Sequence, residues 1–404
     1  MALLPVSEAR ARLLSQARPV EKHEMLPLSQ ASGRVLAEPV AARLTQPPFD
    51  ASAMDGYALR AVDAPAVGAE LKVIGTAAAG HPFGGQVASG EAVRIFTGAP
   101  VPASADAILI QEDAELLEGS RIRTKFAVSR GRHIRPRGQD FMDGEVLLNP
   151  GTLLDYSHLT LAAAMNHPTL PVYRRPKVAV LATGDELLPP GGTPAAGQII
   201  ASNTFGISAL VRDNGGEVVD LGIVPDNRDE IAEAIEAAKA AGVEILVTVG
   251  GASVGDHDLV QSTLKAAGMQ LDFWRIAMRP GKPLMVGTLG PMQVLGLPGN
   301  PVASLVCGLL FLEPLVRTLA WLPERPRETQ ALAAHDLEPN DQRQDYQRAT
   351  LRRDSDGTLW VKAFSKQDSS MMKILANSDA LIIRPPHAPR LPAGSPCPVL
   401  LLRR

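Results

Sequence analysis

The feature that most constrains the fold is a regular alternation of apolar runs and amphipathic stretches between residues 177 and about 322. The apolar runs predict strands: VAVLAT, EVVDLGIV, EILVTV, FWRIAM, LMVGTL and MQVLGL. Helical spacing predicts helices at 203–214, 228–241 and 258–267, and a long helix after Gly299. Buried strands that alternate with helices are typical of a parallel sheet covered on both faces. We therefore expect a central doubly wound, mostly parallel α/β sheet.

The flanking segments have a different character. Residues 1–50 begin with helical spacing and become proline-rich, and residues 70–123 contain short β-prone runs whose spacing predicts a small barrel or sandwich. A helix is predicted near 156–165 and a linker at 168–176, and residues 324–404 return to short strands, which we assign to a C-terminal β-barrel module. The predicted domains are 1–176, with an inserted β module at about 51–140, then 177–323 and 324–404.

Composition excludes several classes of protein. A chain of 404 residues with 40 basic and 43 acidic side chains is large enough for several domains and not basic enough for a general nucleic-acid binder. Two cysteines, Cys307 and Cys397, exclude a disulfide scaffold and a cysteine-rich metal site. The longest apolar run, 302–312, is too short to span a membrane, and residues 1–20 read as an amphipathic helix and not as a secretion signal. We expect a cytoplasmic protein that binds neither nucleic acid nor membrane.

The predicted strands end in glycines and carboxylates. VAVLAT is followed by Gly184, Asp185 and Glu186, and EVVDLGIV by Asp226. The other two strand ends carry the strings Gly250-Gly251-Ala252-Ser253, with Asp256 and Asp258 just beyond, and Pro298-Gly299-Asn300-Pro301. Because the carboxyl ends of parallel strands form the ligand-binding edge of such a sheet, these residues predict one site.

Each residue type at this edge has a chemical reason. Glycines let a ligand approach the backbone, whose N–H groups bind phosphate oxygens, and carboxylates on neighbouring loops hold Mg²⁺. Asn300 as N-cap and Pro301 as first helical residue predict a helix N-terminus that attracts anions. The alternative is that each string is only a turn or a helix start.

A basic loop, Arg275-Ile-Ala-Met-Arg279-Pro-Gly-Lys282-Pro, follows in the same segment. Arg279 and Lys282 flank a Pro-Gly turn, so both can point at one small anion, a guanidinium as a fork and an ammonium as a point charge. The alternative is a solvated turn with two unrelated cations.

Other strings admit different interpretations. Gly251-Ala-Ser253-Val-Gly255 matches the GxSxG pattern of serine hydrolases, but the following acidic residues fit phosphate and metal better. SAMDGYA around Asp55 and the arginine-rich RGRHIRPRGQD that ends at Asp140 read from composition alone as a turn and a solvated basic face.

Together, the strings resemble one family. The strings that carry the resemblance are SAMDGYALR (52–60), RIFTGAPVP (94–102), RPRGQD (135–140), ATGDEL (182–187), GGASVGDHD (250–258), MRPGKP (278–283), GLPGNPVA (296–303) and YQRA (346–349). They occur in the order found in bacterial molybdopterin molybdotransferases, relatives of the C-terminal domain of gephyrin. The resemblance implies a Mg²⁺-dependent transferase that converts adenylylated molybdopterin and molybdate into molybdenum cofactor and AMP. It also implies a homodimer of four-domain subunits, with the active site between the α/β domain of one subunit and the C-terminal β domain of the other.

Site roles follow from the resemblance residue by residue. It implies that Asp226 and Asp258 hold Mg²⁺ near the diphosphate and that Asp55, Asp140 and Glu186 are further acidic residues around the pterin. The implied substrate-binding residues on the pterin side are Thr97, Gly184, Gly250, Gly251, Ser253, Pro298 and Pro301. Arg279, Lys282, Arg348 and Ser369 match the site expected to hold molybdate. The chain departs from the family at Arg275 and Arg279, often lysines, at Ala303, usually serine, and at Ser370, usually glycine.

Two other functions remain compatible with these residues. The α/β domain alone resembles molybdopterin adenylyltransferases, which use ATP on the same pterin, and gephyrin shows that such a chain can serve as a non-catalytic scaffold. A molybdopterin adenylyltransferase and apo-molybdoenzymes are the partners that the resemblance suggests.

Overall fold

The computed structural model describes residues 3–250 and 259–403. The chain divides into two compact units, one formed by Met1–Glu24 with Tyr173–Arg404 and the other by Met25–Val172. The first helix, α1 (Val6–Ser15), belongs to the larger unit. Its buried residues Val6, Ala9 and Leu13 recur at helical spacing and join the main hydrophobic core of that unit.

The smaller unit is built from short strands and one helix. Its elements, with the strands that cross its boundaries, are β1 (His23–Pro27), β2 (Val40–Ala41), β3 (Ala51–Ser52), β4 (Gly56–Leu59), β5 (Glu70–Ala77), β6 (Glu91–Ile95), β7 (Ala107–Ile110), β8 (Ala114–Leu117), β9 (Arg121–Thr124), β10 (Ile134–Arg135), β11 (Val146–Leu148), α2 (Tyr156–Ala164) and β12 (Thr169–Tyr173). Asp155 caps α2 by accepting from the backbone N–H groups of Ser157 and His158.

Six of these strands form one sheet in the order β7-β4-β6-β5-β9-β8. The expected barrel or sandwich is therefore a single open sheet in the described part of the chain. The sheet includes β4, which precedes the β-prone runs at 70–123 but lies within the predicted module at about 51–140, and β4 pairs with both β6 and β7. The four residues of β4 are all buried and do not alternate, which is why periodicity alone missed this central strand.

The predicted linker at 168–176 is wrong. Residues Thr169–Tyr173 form β12, which pairs with β1. The prolines that suggested a linker are compatible with the strand, since Pro171 still accepts a hydrogen bond from the Ala37 N–H through its carbonyl.

The larger unit contains the predicted α/β sheet. Its elements are β13 (Lys177–Thr183), β14 (Leu187–Leu188), β15 (Ile199–Ile200), α3 (Asn203–Asp213), β16 (Glu217–Val224), α4 (Arg228–Ala240), β17 (Ile245–Val249), α5 (Leu259–Ala266), β18 (Gln270–Arg275), β19 (Met278–Arg279), β20 (Pro283–Leu289), β21 (Met292–Leu297), α6 (Pro301–Cys307) and α7 (Glu313–Leu319). The sheet order is β16-β13-β17-β21-β20-β18, with parallel pairing up to β21 and antiparallel pairing beyond it. The doubly wound, mostly parallel sheet is confirmed.

Helices cover both faces of this sheet. Val178 and Val180 of β13 pack in the core that contains residues of α3 and α6, whereas Ala179 and Leu181 pack in the core with residues of α4 and α5. The alternation of side chains along a strand explains this division. Successive residues of such a strand are all apolar, because they pack alternately against the helices on the two faces of the sheet.

The helix after Gly299 is interrupted by a π-helical turn at Gly308–Leu312 between α6 and α7. Within the described residues, Pro301–Leu319 is the one helix long and apolar enough to cross a membrane, and 78% of its apolar window is buried inside the protein. Its composition is that of a core helix.

The C-terminal segment forms the expected barrel. Its elements are β22 (Glu328–Ala333), β23 (Gln344–Arg353), β24 (Leu359–Ala363), α8 (Met372–Ala376), β25 (Ala380–Arg384) and β26 (Pro396–Leu401). The order β23-β24-β22-β26-β25 closes through pairing of β25 with β23. The short strand β19 adds to β23 in parallel, with Arg279 in register with Asp345. The loop that contains Arg279 is thus held by the barrel as well as by the α/β domain.

Candidate functional site

A cleft of about 1020 Å³ opens at the carboxyl ends of the central strands. Strand β13 lies between β16 and β17, and the helices that follow β13 and β17 cover opposite faces of the sheet. Strand order therefore reverses at β13, and such a switch point is where open α/β sheets bind ligands. The predicted residues Gly184, Gly250, Asp226, Pro298 and Pro301 all line this cleft.

Gly250 allows two strand ends to approach closely. Its φ is +99°, a region that favours glycine, and a Cβ atom there would lie 2.6 Å from the carbonyl oxygen of Thr183. The ends of β13 and β17 are thus packed backbone against backbone at the floor of the cleft. The sequence predicts this glycine from its place after a strand.

Three carboxylates lie along one side of the cleft or next to it. The backbone N–H of Asp226 donates to Oδ1 of Asp185 at 3.0 Å, and Glu186 lines the cleft with Asp226. The pKa of Asp226 is raised, first by desolvation and then by the negative charges of Asp185 and Glu186. The predicted strand-end acids therefore gather where a cation would relieve their mutual repulsion.

The predictions for Gly251, Ser253 and Asp258 lie outside the described residues. Among residues 3–250 and 259–403, no three His, Cys, Asp or Glu side chains converge as a metal site. The pairing of Asp226 with Asp258 around Mg²⁺ stays a prediction.

The opposite wall of the cleft comes from the barrel of the same chain. The barrel residues that line this wall are Arg343, Gln367, Ser369, Ser370 and Met372. The barrel of this chain thus lines part of the cleft, and the expected arrangement, in which the β domain of a second subunit completes the site, stays a prediction. The chain connects directly from α7 into β22, which brings the two domains together.

The helix start at Asn300 differs in detail from the prediction. Asn300 occupies the N-cap position, but its side chain makes no cap and its Nδ2 donates to Oγ of Ser369 at 3.0 Å. The Val302 N–H donates to the Ser369 carbonyl at 3.1 Å. Ser369 thus takes up donors that the sequence assigned to an anion. Ala303 lines the cleft, whereas the hydroxyl of Ser304 is fully buried and has no hydrogen-bond partner in the described structure.

Arg279 and Lys282 line the same cleft but differ in their contacts. Arg279 binds both carboxylate oxygens of Asp345, with Nε to Oδ1 at 3.1 Å and Nη2 to Oδ2 at 2.7 Å, and Asp341 lies 3.4 Å from its Nη1. These contacts raise the pKa of Arg279. Lys282 is exposed and, within the described residues, has no ion-pair partner. Arg275 stacks on the Trp274 ring and does not line the cleft.

Arg348 is the largest side chain that is fully buried, and all three of its guanidinium nitrogens lack a hydrogen-bond partner in the described structure. Burial lowers its pKa, and the charges of Asp345 and Asp368 oppose that effect. Arg348 does not itself line the cleft. Gln367, which does, accepts from the Arg348 N–H at 2.9 Å and donates to its carbonyl at 3.0 Å. A buried guanidinium next to the cleft wall is therefore without a counter-ion.

The remaining predicted residues lie in the smaller unit. The N–H and the Oγ1 of Thr97 each donate to Oδ1 of Asp55 at 2.8 Å, and these bonds lower the pKa of Asp55. Asp140 is exposed, and its N–H donates to the Gln46 carbonyl at 3.0 Å. Asp55 and Thr97 are thus brought together, and the two hydrogen bonds favour the ionised form of the Asp55 carboxyl group.

Sequence reasoning missed several residues of the cleft. Thr183 lines it, is 3% exposed and has a hydroxyl without a partner in the described structure. Its place at the end of an apolar strand, directly before Gly184, was the available signal. Asp345 directly precedes the quoted string YQRA, but its role depends on Arg279, which lies 66 positions away. No spacing rule connects residues that far apart.

Comparisons with known protein families cover almost the whole chain. Residues 4–166 match the MoeA N-terminal region (domain I and II), residues 179–318 the probable molybdopterin binding domain, and residues 330–402 the MoeA C-terminal region (domain IV).

Individual relatives agree with these matches. The molybdopterin molybdenumtransferase of Haemophilus influenzae is 35% identical over 394 residues, which is 97% of each chain, and that of a Nostoc species is 36% identical over 90% of this chain and 85% of the relative. The crystal structure of the molybdopterin biosynthesis moeA protein from Pyrococcus horikoshii superposes with a TM-score of 0.84 at 28% identity over the full length of both chains. The cleft, the order of the domains and these likenesses together show that the chain belongs to the molybdopterin molybdenumtransferase family.

Proposed function

We propose that this protein is a transferase that inserts molybdenum into molybdopterin during molybdenum cofactor biosynthesis. The observation that carries the proposal is the division of one cleft into an acidic side, with Asp226 and Glu186, and a basic side, which Arg279 and Lys282 line and beside which Arg348 is buried without a hydrogen-bond partner in the described structure. The names of the relatives supply the reaction, since they are molybdopterin molybdenumtransferases.

The basic side suits molybdate, a tetrahedral dianion. A buried guanidinium without a partner is stabilised when an anion pairs with it, and an exposed ammonium adds a point charge. We assign Arg348, Lys282 and Ser369 to the oxyanion, with Arg279 at the edge of the same cleft. Lys282, Arg348 and Ser369 have hydrogen-bonding capacity left for a ligand, since Ser369 Oγ can still donate and accept, whereas most of the N–H donors of Arg279 are already used.

The acidic side suits Mg²⁺ bound to a diphosphate. The raised pKa of Asp226 reflects a local excess of negative charge that a divalent cation would neutralise, and carboxylate oxygens are its preferred ligands. Asp226 and Asp258 would hold the ion, which would stabilise the charge that develops on the phosphate oxygens when the diphosphate is cleaved. Glu186 stays close enough to Asp226 to act on its charge.

The strand ends of the larger unit are the part of the cleft that we assign to the pterin side of the substrate. We propose that Gly184, Gly250, Gly251, Ser253, Pro298 and Pro301 contact the adenylylated molybdopterin. Asp55, Asp140 and Thr97 stay further candidate residues for the same substrate. Thr183 is added to this set, because its buried hydroxyl faces the cleft edge without a partner in the described structure. The Thr97 bonds keep Asp55 ionised, so it can accept hydrogen bonds from a ligand.

In the proposed reaction, adenylylated molybdopterin and molybdate give molybdenum-molybdopterin and AMP. The phosphoanhydride bond breaks: an oxygen of water or of the oxyanion forms the new P–O bond, and the leaving phosphate takes the electron pair. The two dithiolene sulfurs of the pterin form bonds to molybdenum as one molybdate oxygen leaves, either in the new P–O bond or as water with the two thiol protons, so molybdenum stays hexavalent. The chain positions the two substrates on facing walls of one cleft, which supplies proximity. Lys282 and Arg348 attract the oxyanion, while the diphosphate lies against the strand ends that Gly184 and Gly250 line.

We propose further that the protein works in the cytoplasm as a homodimer and exchanges the pterin with a molybdopterin adenylyltransferase and with apo-molybdoenzymes. Near-balanced charge, with a net of −3, supports a location away from nucleic acid and anionic membranes. Sedimentation at micromolar concentration tests the dimer directly.

The function is tested by AMP release from purified adenylylated molybdopterin with Mg²⁺, while molybdate is titrated from zero. Release that rises with molybdate supports insertion. No release, together with ATP-dependent adenylylation of free molybdopterin, would assign the chain to the adenylyltransferase reaction instead. Failure of both reactions, with neither substrate bound in calorimetry, would assign it to a scaffold.

A further inference from the structure

The two arginines on the basic side of the cleft have opposite environments. The Arg279 side chain is 44% exposed and donates hydrogen bonds to both carboxylate oxygens of Asp345. Arg348 is fully buried, and its guanidinium has no hydrogen-bond partner in the described structure. Ordinary electrostatics would favour the reverse, because a buried charge gains more from a counter-ion than an exposed one.

The carboxylates that could pair with Arg348 are occupied by other donors. Asp345 and Asp368 are the acids whose charges act on Arg348. Asp345 accepts from Arg279 and from Nε2 of Gln347 at 2.9 Å, and Asp368 accepts from the N–H and the Oγ of Ser370 at 2.8 and 2.6 Å. Both carboxylates are therefore already hydrogen-bonded to other groups, and neither bonds to the guanidinium of Arg348 in the described structure.

The backbone fixes this arrangement. Strand β19 pairs with β23 so that Arg279 is in register with Asp345, and Arg348 lies three positions further along β23. Asp345 itself is 5% exposed, so its charge acts through protein and not through water. Side chains alternate along a strand, so Asp345 and Arg348 leave opposite faces of β23 and Asp345 acts on Arg348 through its charge alone. An unneutralised Asp345 would offset the charge of Arg348 and would repel an oxyanion that binds beside Arg279.

We propose that Arg279 is a positioning residue that acts on the oxyanion through Asp345: by neutralising this buried carboxylate, it prevents Asp345 from offsetting the positive charge of Arg348 and from repelling the anion. This inference rests on the proposed function, which places molybdate on the basic side of the cleft. It assigns Arg279 a role different from that of a direct ligand. It also makes Asp345, which was not among the predicted site residues, a determinant of anion affinity.

The two roles for Arg279 predict different double mutants. Molybdate binding to the full-length protein is measured by calorimetry for wild type, Arg279→Ala, Asp345→Asn and the double variant. We expect Arg279→Ala to weaken binding by about tenfold or more, because it leaves a buried charge unpaired. Asp345→Asn in the same chain removes that charge, so the double variant should bind within about threefold of wild type. A double variant as weak as Arg279→Ala would make Arg279 a direct ligand and overturn the inference.

Arg343 provides the matched control. It lines the same cleft and pairs with Asp341 at 3.1 Å, so Arg343→Ala removes the same charge without exposing Asp345. Adding Asp345→Asn should restore molybdate binding to the Arg279→Ala variant but not to the Arg343→Ala variant. Equal restoration of both would show that only the net charge of the cleft matters, which contradicts the specific pairing.

Thermal unfolding of each variant shows whether it is folded. If Arg279→Ala does not fold, Arg279→Gln replaces it, because glutamine can still donate one hydrogen bond to Asp345 without neutralising it. Wild-type protein that binds no molybdate would reject the proposed anion site and the inference with it. Wild-type protein that binds molybdate, without restoration in the double variant, would reject the inference alone.

Discussion

Asp226 lies beside two other carboxylates, and its negative charge lowers the stability of the fold when no cation is bound. The pKa of Asp226 is raised in the folded chain by desolvation and by Asp185 and Glu186. A raised pKa means that the fold favours the protonated form. Its favourable contribution is therefore complete below the unfolded pKa of about 3.9 and is lost as the pH rises through the folded pKa. At neutral pH the ionised Asp226 destabilises the fold.

Asp226→Asn should therefore stabilise the metal-free protein at pH 7 while it abolishes function. Since the side chain is exposed and its interactions are screened, we expect a gain of at most about 0.5 kcal/mol, which disappears below about pH 4. Magnesium affinity should fall by about 100-fold. Thermal unfolding at several pH values and AMP release against Mg²⁺ concentration measure both effects.

Asp229→Asn is the control for that experiment. Asp229 lies in the first turn of α4, where a negative charge interacts favourably with the helix N-terminus. Its loss should lower stability at pH 7 instead of raising it. Stabilisation of both variants to the same extent would show that only total negative charge is being relieved, and normal turnover of Asp226→Asn would remove Asp226 from the metal site.

Lys282→Ala should raise the molybdate concentration needed for turnover without unfolding the protein. The ammonium is exposed and unpaired within the described residues, so stability should change by less than about 0.5 kcal/mol. Loss of a charged hydrogen bond to the oxyanion costs about 1.5–3 kcal/mol, or roughly 10- to 150-fold in molybdate affinity. Lys265→Ala, an exposed lysine in the last turn of α5, is the control. Unchanged molybdate dependence in Lys282→Ala would exclude the contact.

At the residue scale, the sequence predicts the glycines and acids of the cleft but not the partners of its cations. Gly184, Gly250, Glu186 and Asp226 follow strands directly, so their position depends only on local pattern and on a general rule for parallel sheets. The pairing of Arg279 with Asp345 depends on the register of β19 against β23. Register is set by three-dimensional packing and leaves no local signal.

At the scale of elements, the close approach of β13 and β17 makes Gly250 sensitive to substitution. Gly250→Ala should destabilise the protein by about 3 kcal/mol or more, since it combines a left-handed φ of +99° with a Cβ only 2.6 Å from a carbonyl oxygen. Gly222→Ala is the matched control, because Gly222 has a φ of +74° but open space around it, and should lose only about 1–2 kcal/mol.

Denaturant unfolding of both variants measures the difference. Equal losses would mean that backbone conformation alone matters and that the ends of β13 and β17 separate at little cost. A larger loss for Gly250→Ala, with weaker substrate binding, would support close packing at the floor of the cleft.

The elements that the sequence predicts well are those with long, regular patterns. The α/β strands and the helices α3 and α4 follow from apolar runs and helical spacing, because burial between two layers imposes those patterns. Strands of two residues, such as β19, contain too few positions to show any period. The prediction of a linker at 168–176 is wrong because it relied on the prolines of the segment, whereas the buried Leu170 and Val172 are part of strand β12.

At the scale of the whole molecule, Met25–Val172 has hydrophobic cores made from its own residues. Three buried clusters contain only residues between Ala31 and Val172, and the main cluster of the larger unit draws on α1, the sheet and the barrel. A fragment of residues 25–172 should therefore unfold cooperatively by itself. Calorimetry and circular dichroism test this, with residues 177–323 as the comparison fragment.

The comparison fragment, residues 177–323, should unfold less cooperatively, because the main core also includes residues of α1 and of the barrel, such as Leu13 and Tyr346. A fragment 25–172 without a cooperative transition would contradict the prediction. The division into domains at 1–176, 177–323 and 324–404 remains our proposal, and limited proteolysis of the full chain tests it at its boundaries.

The addition of β19 to the barrel bears on how such a chain could have evolved. Arg279 and Lys282 belong by sequence to the α/β segment, yet β23 holds their loop in place. An ancestral α/β gene that acquired this loop alone would have gained an unsupported two-residue strand, too short to be stable unpaired. Loop and barrel therefore form one unit for inheritance: a chain that loses the barrel also loses the pairing that holds this cationic loop.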